Sequence, residues 1–232
     1  MAQLADYVAA ERDGALLVAA YAEGRIEGTE LDLAVETAYP WDGDVRLTVE
    51  RAPDGPYGLL LRIPAWSRGA TLTINGEPLV AEPVDGWLRV ERRWKAGDEV
   101  RLTLPMPVRA HGSHPHLDAT RGTVSLARGP LVYCVEQQDS PDAAVDDLVI
   151  GVPDIVNANI GRRDEAVVLT LTATAAPPPS AELYPELPLE QALPETTVTA
   201  TFVPYFLWGN RGPEAMRVWV RTPDATYGKK AK

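Results

Sequence analysis

Three histidines lie within six residues of one another in the segment His111-Gly-Ser-His-Pro-His116. Imidazole is a common zinc ligand, so this spacing raises the question of a metal site. The segment has no cysteine, its one nearby carboxylate is Asp118, and Pro115 stiffens the chain. Adjacent side chains in an extended segment point in opposite directions, so Ser113 and His114 do not form a Ser-His-Asp triad with Asp118. We predict a polar loop that has neither a metal nor a catalytic role.

Cys134 is the single cysteine of the chain, and it lies in the apolar run Leu131-Val-Tyr-Cys-Val135. Such a run predicts a buried strand, in which a cysteine acts as a small hydrophobic residue. Burial raises the pKa of a thiol and makes it a poor nucleophile. The chain also has no glycine-rich phosphate loop, no H-E-x-x-H motif and no cysteine pair. We therefore predict no catalytic residue, no metal site and no cofactor in this chain.

Six tryptophans are the other residues whose type suggests chemistry, because an exposed indole ring can stack on a sugar. Trp87, Trp94 and Trp219 stand inside or beside apolar alternating runs, which favours a place in a core. Trp41, Trp66 and Trp208 adjoin turns instead. These three are our candidate carbohydrate-binding residues, with a structural role as the alternative.

The elements that position these residues are short strands. Glycine and proline interrupt the chain at short intervals, and the runs between them alternate or are rich in β-branched residues. Helical spacing occurs only over Ala2–Ala10, where Leu4, Tyr7 and Val8 share a face. The predicted strands are Ala15–Ala22, Leu31–Ala38, Val45–Glu50, Gly58–Ile63, Ala70–Ile74, Trp87–Glu91, Glu99–Leu104, Thr123–Ala127, Leu131–Glu136, Ala166–Ala173, Thr197–Val203 and Arg217–Arg221.

This pattern predicts an all-β fold of two consecutive antiparallel β-sandwich domains, jelly-roll-like, with a short N-terminal helix. A proline-rich seam at Pro105–His111 separates two halves of normal domain size. We place the helix in residues 1–12, the first sandwich in residues 13–108 and the second in residues 109–232. The segment Ala176–Glu195 is rich in proline and glutamate and predicts a long surface loop.

Composition excludes several classes of protein. The 232 residues are 45% hydrophobic and 24% charged, which is typical of a globular chain and excludes a disordered one. A net charge of -11 disfavours nucleic acid and anionic membranes as partners. A single cysteine excludes an internal disulfide. Neither a signal peptide nor a membrane-spanning run is recognisable, so we expect a cytoplasmic protein.

Seven short motifs occur along the chain in an order that is typical of one enzyme family. The chain resembles the C-terminal half of glycoside hydrolase family 127, the β-L-arabinofuranosidase-like enzymes, from about Leu4 to Arg221. The motifs that carry the resemblance are Tyr39-Pro-Trp-Asp-Gly43, Leu61-Arg-Ile-Pro-Ala-Trp66, Ile74-Asn-Gly76, Leu104-Pro-Met-Pro-Val-Arg109, Arg128-Gly-Pro-Leu-Val-Tyr-Cys-Val-Glu136, Pro204-Tyr-Phe-Leu-Trp-Gly-Asn-Arg211 and Met216-Arg-Val-Trp-Val-Arg221.

The resemblance implies that the active site lies elsewhere. Enzymes of this family begin with an α/α toroid that carries a cysteine nucleophile, a glutamate acid/base and a zinc ion held by cysteines and a glutamate. The resemblance aligns this chain after that domain, with residues 1–12 as a remnant of the last toroid helix. Cys134 matches a strand motif of the family and not its cysteine pair, so no nucleophile or zinc role transfers to it. Zinc is expected only in the catalytic domain.

Three hypotheses follow. The first is a non-catalytic accessory and scaffolding region of an arabinofuranosidase-like hydrolase, whose main partner is the catalytic toroid and which is inactive alone. The second is a carbohydrate-binding module that holds arabinose-containing glycans on its exposed tryptophans. The third is a self-sufficient hydrolase, which needs two carboxylates converging in one cleft. Self-association into a homo-oligomer is compatible with each.

Overall fold

A computed structural model describes residues 7–177, 182–184, 186 and 195–224. The fold is all-β, as predicted, and the described residues form two compact units that divide between Met106 and Pro107. The predicted loop Ala176–Glu195 lies largely outside the described residues. No helix in the described part of the chain is long and apolar enough to cross a membrane.

The part of the first unit that the structure describes contains ten strands in two sheets. A four-stranded sheet has the order β1-β2-β6-β9, and a six-stranded sheet has the order β3-β4-β5-β10-β7-β8. The strands are β1 (Ala9–Arg12), β2 (Ala15–Val18), β3 (Gly24–Glu27), β4 (Asp32–Thr37), β5 (Asp44–Arg51), β6 (Pro56–Arg62), β7 (Thr71–Ile74), β8 (Glu77–Leu79), β9 (Trp87–Arg93) and β10 (Glu99–Thr103).

The period-two pattern of β5 explains how the first core forms. Val45 and Leu47 are fully buried, whereas Arg46 between them is exposed. Antiparallel pairing places Leu47 opposite Val100 on β10, so apolar side chains meet on one face. One apolar cluster contains buried residues of both sheets, which is the arrangement of a β-sandwich.

The N-terminal helix is corrected by the structure. Ala9 and Ala10 belong to β1, which pairs with β2 along Ala9–Arg12, so the predicted helix Ala2–Ala10 was wrong over these residues. The carbonyl of Val8 accepts hydrogen bonds from the backbone of Ala19 at 2.8 Å and of Ala20 at 3.2 Å. Pairing with β2 provides hydrogen-bond partners for backbone groups that a helix would pair internally. The segment therefore forms a strand although the spacing of its apolar residues is helical. Residues 1–6 lie outside the described part.

The described residues of the second unit form one nine-stranded sheet. Its strands are β11 (Val108–Gly112), β12 (Thr123–Arg128), β13 (Leu131–Glu136), β14 (Leu148–Val149), β15 (Asn159–Arg163), β16 (Ala166–Ala175), β17 (Thr196–Pro204), β18 (Met216–Arg217) and β19 (Val220–Arg221). The order is β11-β12-β19-β14-β16-β17-β13-β18, with β15 paired to β16. A five-residue helix, α1, covers Val152–Val156.

The pairing of the second sheet closes on itself, because β13 also pairs with β12. An enclosed apolar core results, and Tyr133, Leu169 and Phe202 are fully buried within it. Two strand pairs depart from the antiparallel expectation, β2 with β6 and β14 with β19. In the first of these, the chain passes through β3, β4 and β5 of the other sheet before it returns, and such a crossover connection permits parallel pairing.

Candidate functional site

The three tryptophans that the sequence assigns to cores are buried to different degrees. Trp94 is buried, and its indole N–H donates to the carbonyl of Tyr57 at 3.0 Å. Trp87 is half-buried beneath the guanidinium of Arg62, whose central carbon lies 5.7 Å from the ring centroid. Trp219 is half-buried and lines a groove of the second unit.

The three candidate carbohydrate-binding tryptophans differ in exposure. Trp41 is half-buried, and its backbone N–H closes a turn onto the carbonyl of Ala38 at 2.8 Å. Trp66 is half-buried and packs against the first core. Trp208 remains 46% exposed. Trp41 and Trp66 belong to the first unit and Trp208 to the second.

Trp208 is part of an exposed group of rings that we call the aromatic turn, residues Tyr205–Trp208. β17 ends at Pro204, a 3₁₀ turn follows over Tyr205–Leu207, and the backbone N–H of Trp208 donates to the carbonyl of Tyr205 at 3.0 Å. The rings of Tyr205 and Trp208 are stacked, with centroids 6.2 Å apart and planes inclined by 11°. Phe206 between them is 58% exposed. The turn thus presents adjacent aromatic rings to solvent.

A network of buried charged side chains holds the segment that follows the aromatic turn. Arg211, three residues after it, pairs with the carboxylates of Glu136 and Asp139, whose side chains are only 1% and 3% exposed. The backbone N–H of Gly209 donates to Glu136 Oε1 at 3.1 Å. Arg163 on β15 adds a contact to Asp139 Oδ1 at 2.5 Å. These charges connect the turn to the end of β13 and to β15.

The charge network shifts the pKa of Asp139 and that of Arg211. Burial opposes ionisation of the Asp139 carboxyl, but hydrogen bonds from Arg211 and Arg163 outweigh it and lower the pKa of Asp139. The hydrogen bond to Asp139, together with that to Glu136, raises the pKa of the Arg211 guanidinium. Asp139 and Arg211 therefore each favour the charged form of the other.

A groove of about 570 Å³ adjoins the aromatic turn, and Tyr205 forms part of its wall. Several polar side chains of the groove pair with other groups of the chain. Arg217 Nε contacts Asp146 Oδ1 at 2.5 Å, and Arg221 donates to the carbonyl of Ala176 at 2.8 Å. Thr123 donates its hydroxyl to the carbonyl of Thr120 at 2.6 Å. Its other lining residues include Met216, Trp219 and Val220.

Cys134 lies on β13 opposite Val203 of β17 and is fully buried, as predicted. Its neighbours in a small apolar cluster are Val168, Val203, Met216 and Val218. Burial, followed by the negative charges of Glu136 and Asp139, raises the pKa of the thiol to about 12. The prediction that Cys134 is a poor nucleophile is thereby confirmed.

The histidine segment does not form a triad. The Ser113 hydroxyl contacts the hydroxyl of Thr120, and Asp118 pairs with Arg121. His114 Nδ1 accepts the backbone N–H of His116 at 3.2 Å, and the two imidazole rings meet edge to face. Among the described residues, no three His, Cys, Asp or Glu side chains are placed together in a way that suits a metal ion.

Sequence reasoning missed the anchor beneath the aromatic turn. Glu136 and Arg211 both occur in motifs noted above, but these motifs lie far apart in sequence, and the pairing of β13 with β17 and β18 brings them together. One signal was available, because Glu136 continues the apolar run of β13 and a carboxylate there needs a buried partner.

Comparison with known proteins identifies the relatives of this chain. Residues 15–106 match the family model described as "Beta-L-arabinofuranosidase, GH127 middle domain", and residues 108–221 match the "Glycoside hydrolase family 127 C-terminal domain". A non-reducing end β-L-arabinofuranosidase of Bifidobacterium longum is 34% identical over an alignment of 230 residues that covers 93% of this chain and 34% of that protein.

Solved structures show the same relationship. A GH127 β-L-arabinofuranosidase from Geobacillus stearothermophilus T6 superposes with a TM-score of 0.82 at 35% identity, over 94% of this chain and 35% of its own. A GH127 β-arabinofuranosidase superposes with the same TM-score, 0.82, at 27% identity, over 94% of this chain and 36% of its own. The chain therefore spans about a third of the length of these relatives.

Proposed function

Because this chain belongs to glycoside hydrolase family 127, we propose that it is a non-catalytic accessory region that supports the family's catalytic domain. One observation carries the proposal. The chain is matched almost throughout by models named for the middle and the C-terminal domain, and it spans about a third of relatives that are named as arabinofuranosidases. By the same reasoning, the catalytic domain is the proposed partner.

The described residues offer little to glycosidic bond cleavage. Two carboxylates on either side of a bound sugar are the usual machinery of a glycosidase. Glu136 and Asp139 are close together, but both are buried and paired with Arg211. Cys134 is buried, and its thiol has a pKa of about 12. These groups support the fold, and we assign them no part in a reaction.

Zinc, which the family resemblance implies for the catalytic domain, does not fit the residues described here. The single cysteine is buried and protonated at neutral pH, whereas zinc binds the thiolate. In the histidine segment, the Nδ1 atom of His114 already accepts a backbone N–H. We therefore assign no metal-dependent chemical step to the described residues.

The first experiment measures activity. The purified chain, with and without added zinc, is incubated with an aryl β-L-arabinofuranoside, and we expect no release of the aryl group above background because Cys134, Glu136 and Asp139 are all buried. The relative from Bifidobacterium longum serves as the positive control. Turnover that persists through repurification and disappears after one substitution in this chain would contradict the proposal.

The second experiment tests the supporting role directly. In a chimera, this chain replaces the matching third of the Bifidobacterium longum relative, and a truncated relative lacks that third altogether. We expect the chimera to hydrolyse the substrate and the truncated protein to be inactive or insoluble. An inactive chimera beside an active truncated protein would show that the region is dispensable and would refute the proposal.

Carbohydrate binding is the second candidate function, and the stacked rings of Tyr205 and Trp208 are the observation that favours it. Arabino-oligosaccharides are titrated into the chain while tryptophan fluorescence is recorded. Binding on the aromatic turn predicts a saturable change that Trp208→Ala abolishes and Trp41→Ala preserves. A flat titration would remove this candidate.

A further inference from the structure

The aromatic turn has the composition of a protein interface. Tyr205, Phe206 and Trp208 are 46%, 58% and 46% exposed, and they lie within four consecutive residues. Tryptophan and tyrosine are the residues that most often carry the binding energy of an interface, and arginine accompanies them. Exposed aromatic rings this close together form an apolar surface that water solvates poorly.

The structure holds this apolar surface in one position. Removing Glu136 and Asp139 from water is costly, and the pairing with Arg211 compensates for that cost only in a defined geometry. The contact of Gly209 N–H with Glu136 then restrains the backbone directly after Trp208. A surface that is ordered before binding loses less conformational entropy on association, so the anchor favours tight docking.

The groove beside the turn argues for a protein and against a sugar. Sugar recognition needs donors and acceptors that converge on the ligand beside the aromatic ring. Here Asp146 pairs with Arg217, Arg221 donates to a backbone carbonyl, and Thr123 does the same. Phe206 contributes a ring with no polar group. Apolar contact is therefore what this surface offers best.

We propose that the aromatic turn is the docking surface of the second unit for the family's catalytic domain. This inference rests on the proposed accessory function. The models that match are named for a middle and a C-terminal domain, and about two-thirds of the length of each relative lies outside the match. That remaining part is the partner that an accessory region has to contact.

Hydroxyl-radical footprinting tests the surface without any substitution. The oxidation rates of Tyr205, Phe206 and Trp208 are compared between the isolated chain and the chimera with the Bifidobacterium longum catalytic region. Because these side chains pass from about half exposed to the core of an interface, we expect their oxidation to slow about fivefold. Ile160, which is 48% exposed on β15, is the internal reference and should react equally in both.

Substitution provides the second readout. Phe206→Ser combined with Trp208→Ala should lower the midpoint of thermal inactivation of the chimera by roughly 4 °C or more. The isolated chain should lose less than the chimera, since each side chain is already about half exposed there. Val156→Ser, at a residue that is 51% exposed at the end of α1, is the matched control and should change neither protein.

The outcomes separate this inference from the proposed function. An active chimera whose aromatic turn is oxidised as fast as in the isolated chain overturns the docking surface and leaves the accessory role intact. Protection that grows with concentration in the isolated chain assigns the surface to a second copy and also overturns it. So does saturable protection by arabino-oligosaccharides. An inactive chimera beside an active truncated relative instead refutes the accessory role itself.

Discussion

Arg211 joins three segments of the second unit, since it follows the aromatic turn and pairs with both Glu136 at the end of β13 and Asp139 in the 3₁₀ turn Gln137–Asp139. Arg211 stabilises the fold by compensating the negative charges of these two buried carboxylates. Its removal costs more free energy than the broken hydrogen bonds alone, because two carboxylates stay buried beside each other with Arg163 as the cation that remains on Asp139.

We predict that Arg211→Met lowers the free energy of unfolding by about 2–4 kcal/mol, less than for a fully buried pair because water reaches a third of the side chain. Urea denaturation of the two proteins measures the difference. Arg121→Met is the control, since Arg121 pairs with the exposed Asp118 and its loss should cost at most about 0.5 kcal/mol. Equal losses in the two variants would mean that the buried network stabilises nothing.

Cys134 gives a prediction about reactivity. Because the thiol is buried and its pKa is about 12, thiol reagents should label it only after unfolding. Cys134→Ser should destabilise the protein by about 1–3 kcal/mol, since it buries a poorly satisfied hydroxyl, and Cys134→Ala should cost less than Cys134→Ser. Labelling is followed by mass spectrometry and stability by thermal melting. Rapid labelling of the native protein would place the thiol at the surface.

At the scale of elements, Gly43 controls how β5 meets the end of β10. Its carbonyl accepts the backbone N–H of Leu104 at 2.8 Å, and a Cβ at this position would lie 1.9 Å from the carbonyl oxygen of Leu104. The obstacle is backbone, which cannot rotate away as a side chain does. Glycine is therefore required here by close approach of two segments.

We predict that Gly43→Ala lowers the free energy of unfolding by about 2–3 kcal/mol, because the two segments must separate to admit the methyl group. Gly55→Ala, just before β6, is the control, since a Cβ there meets no heavy atom within 4 Å. Chemical denaturation of both variants decides the matter. If Gly43→Ala is no less stable than Gly55→Ala, the approach of Leu104 to Gly43 does not constrain the sheet.

At the scale of the whole molecule, each unit has a core of its own. The first core is built from residues between Leu16 and Leu104, and the second from residues between Val108 and Val220. Strand pairing likewise stays within each unit, because β1 to β10 form the first two sheets and β11 to β19 form the third. Such an arrangement satisfies the usual requirement for independent folding.

We predict that residues 1–106 and residues 107–232, produced separately, each fold and melt cooperatively. Circular dichroism should show strand signals for both parts and a single sigmoidal transition for each. The intact chain, measured alongside, shows whether the parts retain their stability. A part that is disordered alone but ordered in the intact chain would mean that its core depends on the other unit.

Much of this protein could be predicted from sequence, because its strand signals are local. The alternation in Val45–Val49 predicted β5, and the apolar run Leu131–Val135 predicted β13. Glycine and proline marked the turns between strands. The buried thiol of Cys134 followed from its neighbours alone. Seven motifs in order, each a few residues long, were sufficient to indicate the family that the comparisons then showed.

Tertiary structure decided what depends on residues distant in sequence. Residues 9 and 10 have helical spacing, yet they form a strand because β2 offers them a hydrogen-bonding partner. Trp41, Trp66 and Trp208 all adjoin turns, but packing leaves only the last of these exposed. The pairing of Arg211 with Glu136 spans 75 residues and exists because β13 is a neighbour of both β17 and β18. Local sequence patterns determine which residues form strands. The exposure of a side chain and the pairing of charges depend instead on the segments that pack against those strands, and these segments are distant in sequence.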